Sequence, residues 1–273
     1  MNNLFLYSKS KINFGLPTWA KQEKIPQGKK IILISPHSDD ISISLGGFAF
    51  ELAKRNQVLP LLFFSGFRGV LNKSKEEAKE IRQGEMKKEA KDLGLLDPIL
   101  LDLGSYENPK QAFKKDVLKI QAIFLKEKPD FIFLPKKDDS HPSHQLAAQL
   151  TLNALSSLKV KPFLFFYENP WSLFRVDEIN TIFLIEKQAL EAKKKAIACH
   201  KSQLKRTDFL TIALALSKFR ALTLPEQRVF GFGKDSKGLK LGHIEAFKRD
   251  SSLMAQNDTP SRHPEGVRDR RVS

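Results

Sequence analysis

Four times between residues 29 and 160, a short unbroken apolar run is followed by a longer stretch in which apolar residues return every three or four positions. The runs are IILIS at 31–35, VLPLLFFSG at 58–66, PILLDLG at 98–104 and DFIFLPK at 130–136. Continuous β-branched and aromatic runs bounded by Pro or Gly read as strands buried on both faces. The stretches between them, such as ISISLGGFAFELAKRN and SKEEAKEIRQGEMKKEAKDLG, carry the helical period. Leu45, Phe48 and Leu52 share one helix face, with Asp39 or Asp40 as N-cap; Ser74 or Asn72 caps the next helix and Gly94 ends it. Strand and helix alternating four times predict an α/β fold, a mostly parallel sheet with helices on both faces.

Further along, KPFLFFYE and TIFLIE predict more strands, residues 186–223 are largely helical, and QRVFGFG with HIEAFK return to the sheet edge. Residues 1–28, broken by Pro17 and Pro26, read as an irregular lead-in to a domain at 29–250. From 251 to 273 the chain is polar, basic and almost free of core residues, the composition of a disordered basic tail. One cysteine, Cys199, excludes an internal disulfide framework. No apolar stretch is long enough to form a transmembrane segment, so the expectation is a cytoplasmic protein. The net charge of +15 sits mostly in Lys/Glu helix patterns that read as solvated faces. No aromatic–basic interleaving suggests specific nucleic-acid recognition, while anionic small molecules stay open as partners, as does a homo-oligomer.

Chemistry gathers at two strand ends. His37, Asp39 and Asp40 follow the first run, and His141 and His144 follow the fourth. In open α/β sheets sites form beyond the carboxyl ends of the strands, and a doubly wound order makes these two strands neighbours. Taken singly, SDD and HPSH read as helix caps. Taken together, His37, Asp40 and His144 offer the three ligands of a catalytic zinc site, with Asp39 as general base and His141 as donor to a developing oxyanion.

The same residues carry a resemblance to the LmbE-like, or PIG-L-like, zinc-dependent deacetylases. Pro36-His37-Ser38-Asp39-Asp40 with Gly46-Gly47 is similar to that family's first motif, and His141-Pro142-Ser143-His144 to its second. RQGEMKKEAKDLG, KPDFI, KKAIACHKSQ and GHIEAF resemble further family segments in the same order. The resemblance implies a Rossmann-like fold, zinc or another divalent ion held by His37, Asp40 and His144, and Asp39 as base for a zinc-bound water. It also implies His141 as stabiliser of the tetrahedral intermediate and an N-acetylated amino-sugar conjugate as substrate. Arg68, in SGFRGV, stands where such enzymes present substrate-binding groups. The chain departs from the family pattern at Ser38, at Ile41 in place of a glutamate, and at Ser143 in place of an acid or amide. Loss of that acid is expected to lower the charged fraction of His141, with Asp138 or Asp139 as compensating neighbours. The alternative reading is a catalytically impaired zinc-binding protein for anionic glycans or sugar phosphates.

Overall fold

The computed structural model describes residues 5–10, 18–24, 27–159, 161–224 and 243–250. The chain runs β1 (Phe5–Ser10), β2 (Thr18–Lys24), β3 (Lys30–Ser35), α1 (Asp40–Ala53), β4 (Gln57–Leu62), α2 (Lys75–Leu93) and β5 (Ile99–Leu100). It continues through α3 (Pro109–Glu127), β6 (Phe131–Pro135), α4 (Pro142–Ser156), β7 (Phe163–Tyr167) and β8 (Thr181–Leu184). Helices α5 (Lys187–Ala198), α6 (Lys201–Leu204) and α7 (Phe209–Thr223) precede β9 (Ile244–Arg249).

The described strands form one sheet in the order β2-β1-β8-β9-β7-β6-β3-β4-β5. Strands β7, β6, β3, β4 and β5 are parallel, the expected Rossmann-like block, and β9, β8, β1 and β2 extend it antiparallel. Two expectations change here. Residues 1–28 contain two strands, β1 and β2, where an irregular lead-in was read. An antiparallel pair at a sheet margin needs no continuous apolar run, so its mixed FLYSKS and TWAKQEK sequences escape a search for one. Strand β9 lies inside the sheet, between β7 and β8, rather than at its edge. QRVFGFG and the basic tail lie outside the described residues.

The side chains of β3 divide the core. Ile32 and Ile34 pack with Ile120 of α3 and Ala147 of α4 on one face. Ile31 and Leu33 pack with Phe48 of α1, Met86 of α2 and Ala189 of α5 on the other. Phe48 is fully buried among Phe133, Phe183 and Phe247, with ring centroids 5.0–5.4 Å away. Burial of one such ring contributes about 2–3 kcal/mol. It fixes α1 against the sheet, and with it the residues at the start of α1.

Helix ends are set by local chemistry. Ser74 and Glu77 form a reciprocal capping box at α2, and Gly94 closes that helix at φ 72°. Asp39 occupies the N-cap position of α1, yet its carboxylate makes no capping hydrogen bond. The capping explanation of SDD therefore does not account for Asp39.

Candidate metal centre

Strand β3 pairs in parallel with both β4 and β6, so the turns after β3 and β6 open on the same end of the sheet. His37, Asp39 and Asp40 leave the first turn, and His141 and His144 leave the second. The backbone N–H of His37 donates to Asp40 Oδ2 at 2.7 Å, closing a tight loop that aims both side chains the same way. His37 Nδ1 then lies 3.4 Å from Asp40 Oδ2 and 3.3 Å from His144 Nε2, while His144 Nε2 lies 3.3 Å from Asp40 Oδ1.

The outer atoms of each ring fix where the protons are. His141 Nδ1 faces the backbone N–H of Ser143 at 3.3 Å and is therefore an acceptor. The Ser143 hydroxyl, 2.7 Å away, gives its single proton to that nitrogen. Its oxygen is left to accept from His37 Nε2–H at 2.9 Å. His144 Nδ1–H donates to Asp139 Oδ2 at 3.1 Å. With those groups outward, His37 Nδ1, His144 Nε2 and the Asp40 carboxylate converge on one point, and loss of the His144 Nε2 proton leaves all three with lone pairs towards it. Acceptors at that spacing repel unless a cation, or a proton on His144 Nε2, lies among them. Ligands about 2.0–2.1 Å from a tetrahedral zinc ion stand about 3.3–3.4 Å apart, so the donor set fits one. His37, His141 and His144 also bring one ring nitrogen each within 4.8 Å of one another. That grouping leaves out Asp40, which faces His37 with Oδ2 and His144 with Oδ1, and its His141 Nδ1 is already occupied as an acceptor.

The same crowding shifts protonation. Burial opposes a charge on His144, but Asp40 and Asp139 outweigh it and hold its pKa up at about 10. Burial likewise opposes ionisation of Asp40, and His144 with His37 overcomes it, keeping the carboxyl well below its ordinary value. Burial lowers the pKa of His141, and His37 and His144 push it further down, so this ring is neutral and carries its proton on Nε2. The direction agrees with the expectation drawn from Ser143. Of the proposed compensating neighbours, Asp138 is exposed and pairs with Lys136, while Asp139, bound to the His144 ring and the His141 backbone N–H, pushes the His141 pKa up without outweighing burial and the two other histidines.

Asp39 belongs to a buried charge layer that the sequence reading gave no role. Arg82 of α2 donates to Asp39 Oδ1 at 2.9 Å and approaches Oδ2 at 3.5 Å. Burial would raise the Asp39 pKa; Arg82 reverses this and holds it low. Behind them Glu89 and His200 pair at 2.6 Å, and Glu85 accepts from the Ser202 amide and hydroxyl at 2.7 Å each. Arg82, Glu85 and Glu89 are buried residues of a helix read as a solvated face. Their i, i+3, i+7 spacing was the available sign that they share one side. Ile41 is fully buried in apolar core, so a glutamate's absence there leaves no gap in this layer.

Above the triad opens a cavity of about 410 Å³. Arg68 lies at its lip in a short 3₁₀ turn, Phe67–Gly69. Part of the wall is aromatic: Trp171, half exposed, meets Phe209 edge to face at 6.0 Å. Asn169 holds that wall to the site, its Oδ1 accepting from the Trp171 N–H at 2.9 Å while its amide donates to Asp139 Oδ2.

Residues 32–155 match the family described as PIG-L: GlcNAc-PI de-N-acetylase. Diacetylchitobiose deacetylase of Thermococcus kodakarensis is 30% identical over 190 residues, covering 64% of this chain and 70% of its own. The chain belongs to the PIG-L family. Among solved structures, N,N'-diacetylchitobiose deacetylase from Pyrococcus horikoshii superposes with a TM-score of 0.65 at 21% identity, over 83% of this chain and 85% of that one. GalB, the 4-carboxy-2-hydroxymuconate hydratase of Pseudomonas putida KT2440, superposes at 0.66 with 17% identity, over 88% and 100%. The PIG-L fold is thus shared with a protein named for hydration, and reaction type has to be argued from the site.

Proposed function

We propose that this chain is a metal-dependent N-deacetylase that releases acetate from an N-acetylated amino-sugar derivative. The observation that carries the reading is the convergence of His37 Nδ1, the Asp40 carboxylate and His144 Nε2 at 3.3–3.4 Å on one point. These three residues would hold zinc or another divalent ion. When bound, such an ion supplies Lewis acidity, polarising a carbonyl oxygen and acidifying water.

The chain's own residues then divide the proton work. Asp39 is the general base, taking a proton from the attacking water and passing it to the departing amine nitrogen. A carboxyl held below its ordinary pKa by Arg82 is a weak base, suited to a proton that is already acidic. Arg82 keeps Asp39 charged and oriented. His141, neutral with its proton on Nε2, donates to the oxyanion as the acetyl carbon becomes tetrahedral. The Trp171 face suits the apolar side of a sugar ring. The kinship with diacetylchitobiose deacetylase supports the amino-sugar class.

Acetate release from a panel of N-acetylglucosamine conjugates, with and without chelator, tests this. The expected result is release that chelator abolishes and added zinc restores. Zinc uptake without acetate from any conjugate would instead support the impaired zinc-binding reading.

A further inference from the structure

Strands β6 and β7 pair in parallel up to Pro135 and Tyr167, so the segments that follow them leave the same end of the sheet. The β6 segment carries Asp139, His141 and His144, and the β7 segment reads ENPWSLF, residues 168–174. The two are bonded along their length. Ser140 gives its hydroxyl proton to the Trp171 carbonyl at 3.0 Å and its N–H to Ser172 Oγ at 3.2 Å, and Lys136 Nζ donates to the Leu173 carbonyl at 3.1 Å. Arg220 of α7 closes the far end, donating to Glu168 Oε1 and to the Phe174 carbonyl, each at 2.7 Å. Trp171 thus stands half exposed at the cavity on a loop held from both sides.

One side chain of that loop reaches towards the metal triad. Asn169 is buried, and its Oδ1 accepts from the Trp171 N–H at 2.9 Å. A backbone N–H has to face an oxygen, so this contact turns the amide and points Nδ2 at Asp139 Oδ2. His144 Nδ1–H donates to the same oxygen at 3.1 Å. Asp139 is fully buried, and its other oxygen takes the His141 N–H at 2.8 Å. A carboxylate in that position depends on every donor that reaches it. Removing the Asn169 amide therefore leaves two faults: Asp139 short of a donor and able to shift with His144, and the Trp171 N–H unpaired.

Resting on the deacetylase reading for its sugar ligand, we propose that Asn169 is a positioning residue: through Asp139 it sets the His144 ring, and through the Trp171 amide it sets the face on which a sugar ring packs. A sugar seated on Trp171 is thereby aligned with the metal that His37, Asp40 and His144 would hold. Groups one step behind a metal ligand change affinity or activity by about 10- to 100-fold when removed. A sugar displaced by about 1 Å from the reacting geometry costs a comparable factor in rate.

The test uses wild type, Asn169→Ala, Asn169→Leu, Trp171→Ala and the Asn169→Ala/Trp171→Ala double variant; leucine is close to asparagine in volume and opens no cavity. Zinc affinity is read by competition with a chromophoric chelator. Sugar affinity is read by calorimetry of the zinc-loaded protein with methyl glucosaminide, an amine that cannot turn over. The expected result is zinc bound about 10-fold more weakly in both Asn169 variants and within about 2-fold of wild type in Trp171→Ala. Sugar binding weakens in all of them, and the double variant loses no more than Trp171→Ala alone, because Asn169 acts on the sugar only through that ring. A purely structural amide would lower the melting temperature and leave the zinc affinity of the folded protein intact. Unchanged zinc affinity in both Asn169 variants, sugar losses that add, or no glycoside binding by wild type each overturn the proposal. The expected pattern without acetate release from any conjugate keeps Asn169 in this role and sinks only the deacetylase reading. Acetate release with unchanged zinc affinity does the reverse.

Discussion

Replacing Glu245 by alanine strands a lysine in the core and opens a bend in the helix that leads to the site. Helix α1 leaves helical geometry at Leu45 (φ −137°, ψ 23°), which frees the amides of Gly47 and Phe48. Glu245 of β9 takes both, at 3.0 and 2.7 Å, and its carboxylate also binds Lys193 Nζ at 2.6 Å. Lys193 in turn donates to the carbonyl of Ile43 at 2.9 Å, the group an unbroken helix would give to Gly47. One buried ion pair thus fills the donors and the acceptor that the bend leaves open; its side chains are 1% and 2% exposed. Removing one partner of a buried pair costs about 3–5 kcal/mol, and an unpaired buried amide about 1–3 kcal/mol. Lys193 can shed its proton and water can enter, so the sum is not reached, and about 4 kcal/mol is the expected loss for Glu245→Ala. At about 2–4 °C per kcal/mol for a chain of this size, the melting temperature falls by about 8–16 °C. Glu245→Gln keeps an acceptor for one amide and should lose about half as much. Adding Lys193→Met to Glu245→Gln should recover stability, because the stranded charge is gone. Thermal and urea melts followed by circular dichroism measure all three. A Glu245→Ala protein melting within about 2 °C of wild type would refute this account of the bend.

Four further outcomes follow from the site. His144→Ala should drop zinc from one per chain to near none by elemental analysis; retained stoichiometric zinc would remove His144 from the ligand set. Asp39→Asn should keep its metal and lose at least about 100-fold in kcat, as expected for a general base, and near-normal turnover would reassign the proton transfer. Ser143→Ala removes the hydroxyl that joins His37 Nε2 to His141 Nδ1 at 2.9 and 2.7 Å; kcat should fall about 10-fold, with Ser143→Thr restoring most of it, and an unchanged rate would deny the relay. In metal-stripped protein, the folded pKa of His144 at about 10 exceeds its ordinary 6.5. Its contribution to stability is therefore complete below pH 6.5 and disappears as pH rises towards about 10. The metal-loaded form, whose His144 has already given up that proton, should lack this slope; equal slopes in melts of both forms from pH 6.5 to 10 would contradict the assignment.

The parallel block was legible because its strands are buried on both faces. IILIS and DFIFLPK announce themselves as unbroken apolar runs, and their pairing in the sheet follows from the alternation with helices. Of the antiparallel extension, TIFLIE was legible on the same terms and the rest was not. HIEAFK contains Glu245 and Lys248, which argue against an interior strand when read by polarity alone. Glu245 is tolerated there because its partner, Lys193, and the amides it satisfies arrive from α5 and α1, and no local pattern in β9 foretells them. A buried charge is a long-range fact: its cost is set by groups distant in sequence.

The site divides along the same line. Residue types and spacing were enough to gather His37, Asp40 and His144 as one set, because strand ends in a doubly wound sheet converge by topology. What spacing could not supply is the direction of each lone pair. That depends on Ser143 and Asp139 binding the outward nitrogens of His37 and His144, which turns two histidines from generic polar groups into inward-facing donors. Ser143 looked like a loss, since it replaces an acid, yet a hydroxyl can accept from one ring while donating to another, as a carboxylate cannot. The layer of Arg82, Glu85 and Glu89 was hidden for the opposite reason. Charged residues among many lysines look solvated, and only a helical face sealed by α5 and the His200 turn makes them buried. The position of Asp39 follows from that layer. Freed from capping and held by Arg82, it stands beside the triad as a fixed charge, so any change that loosens α2 should be felt in turnover before it is felt in metal content.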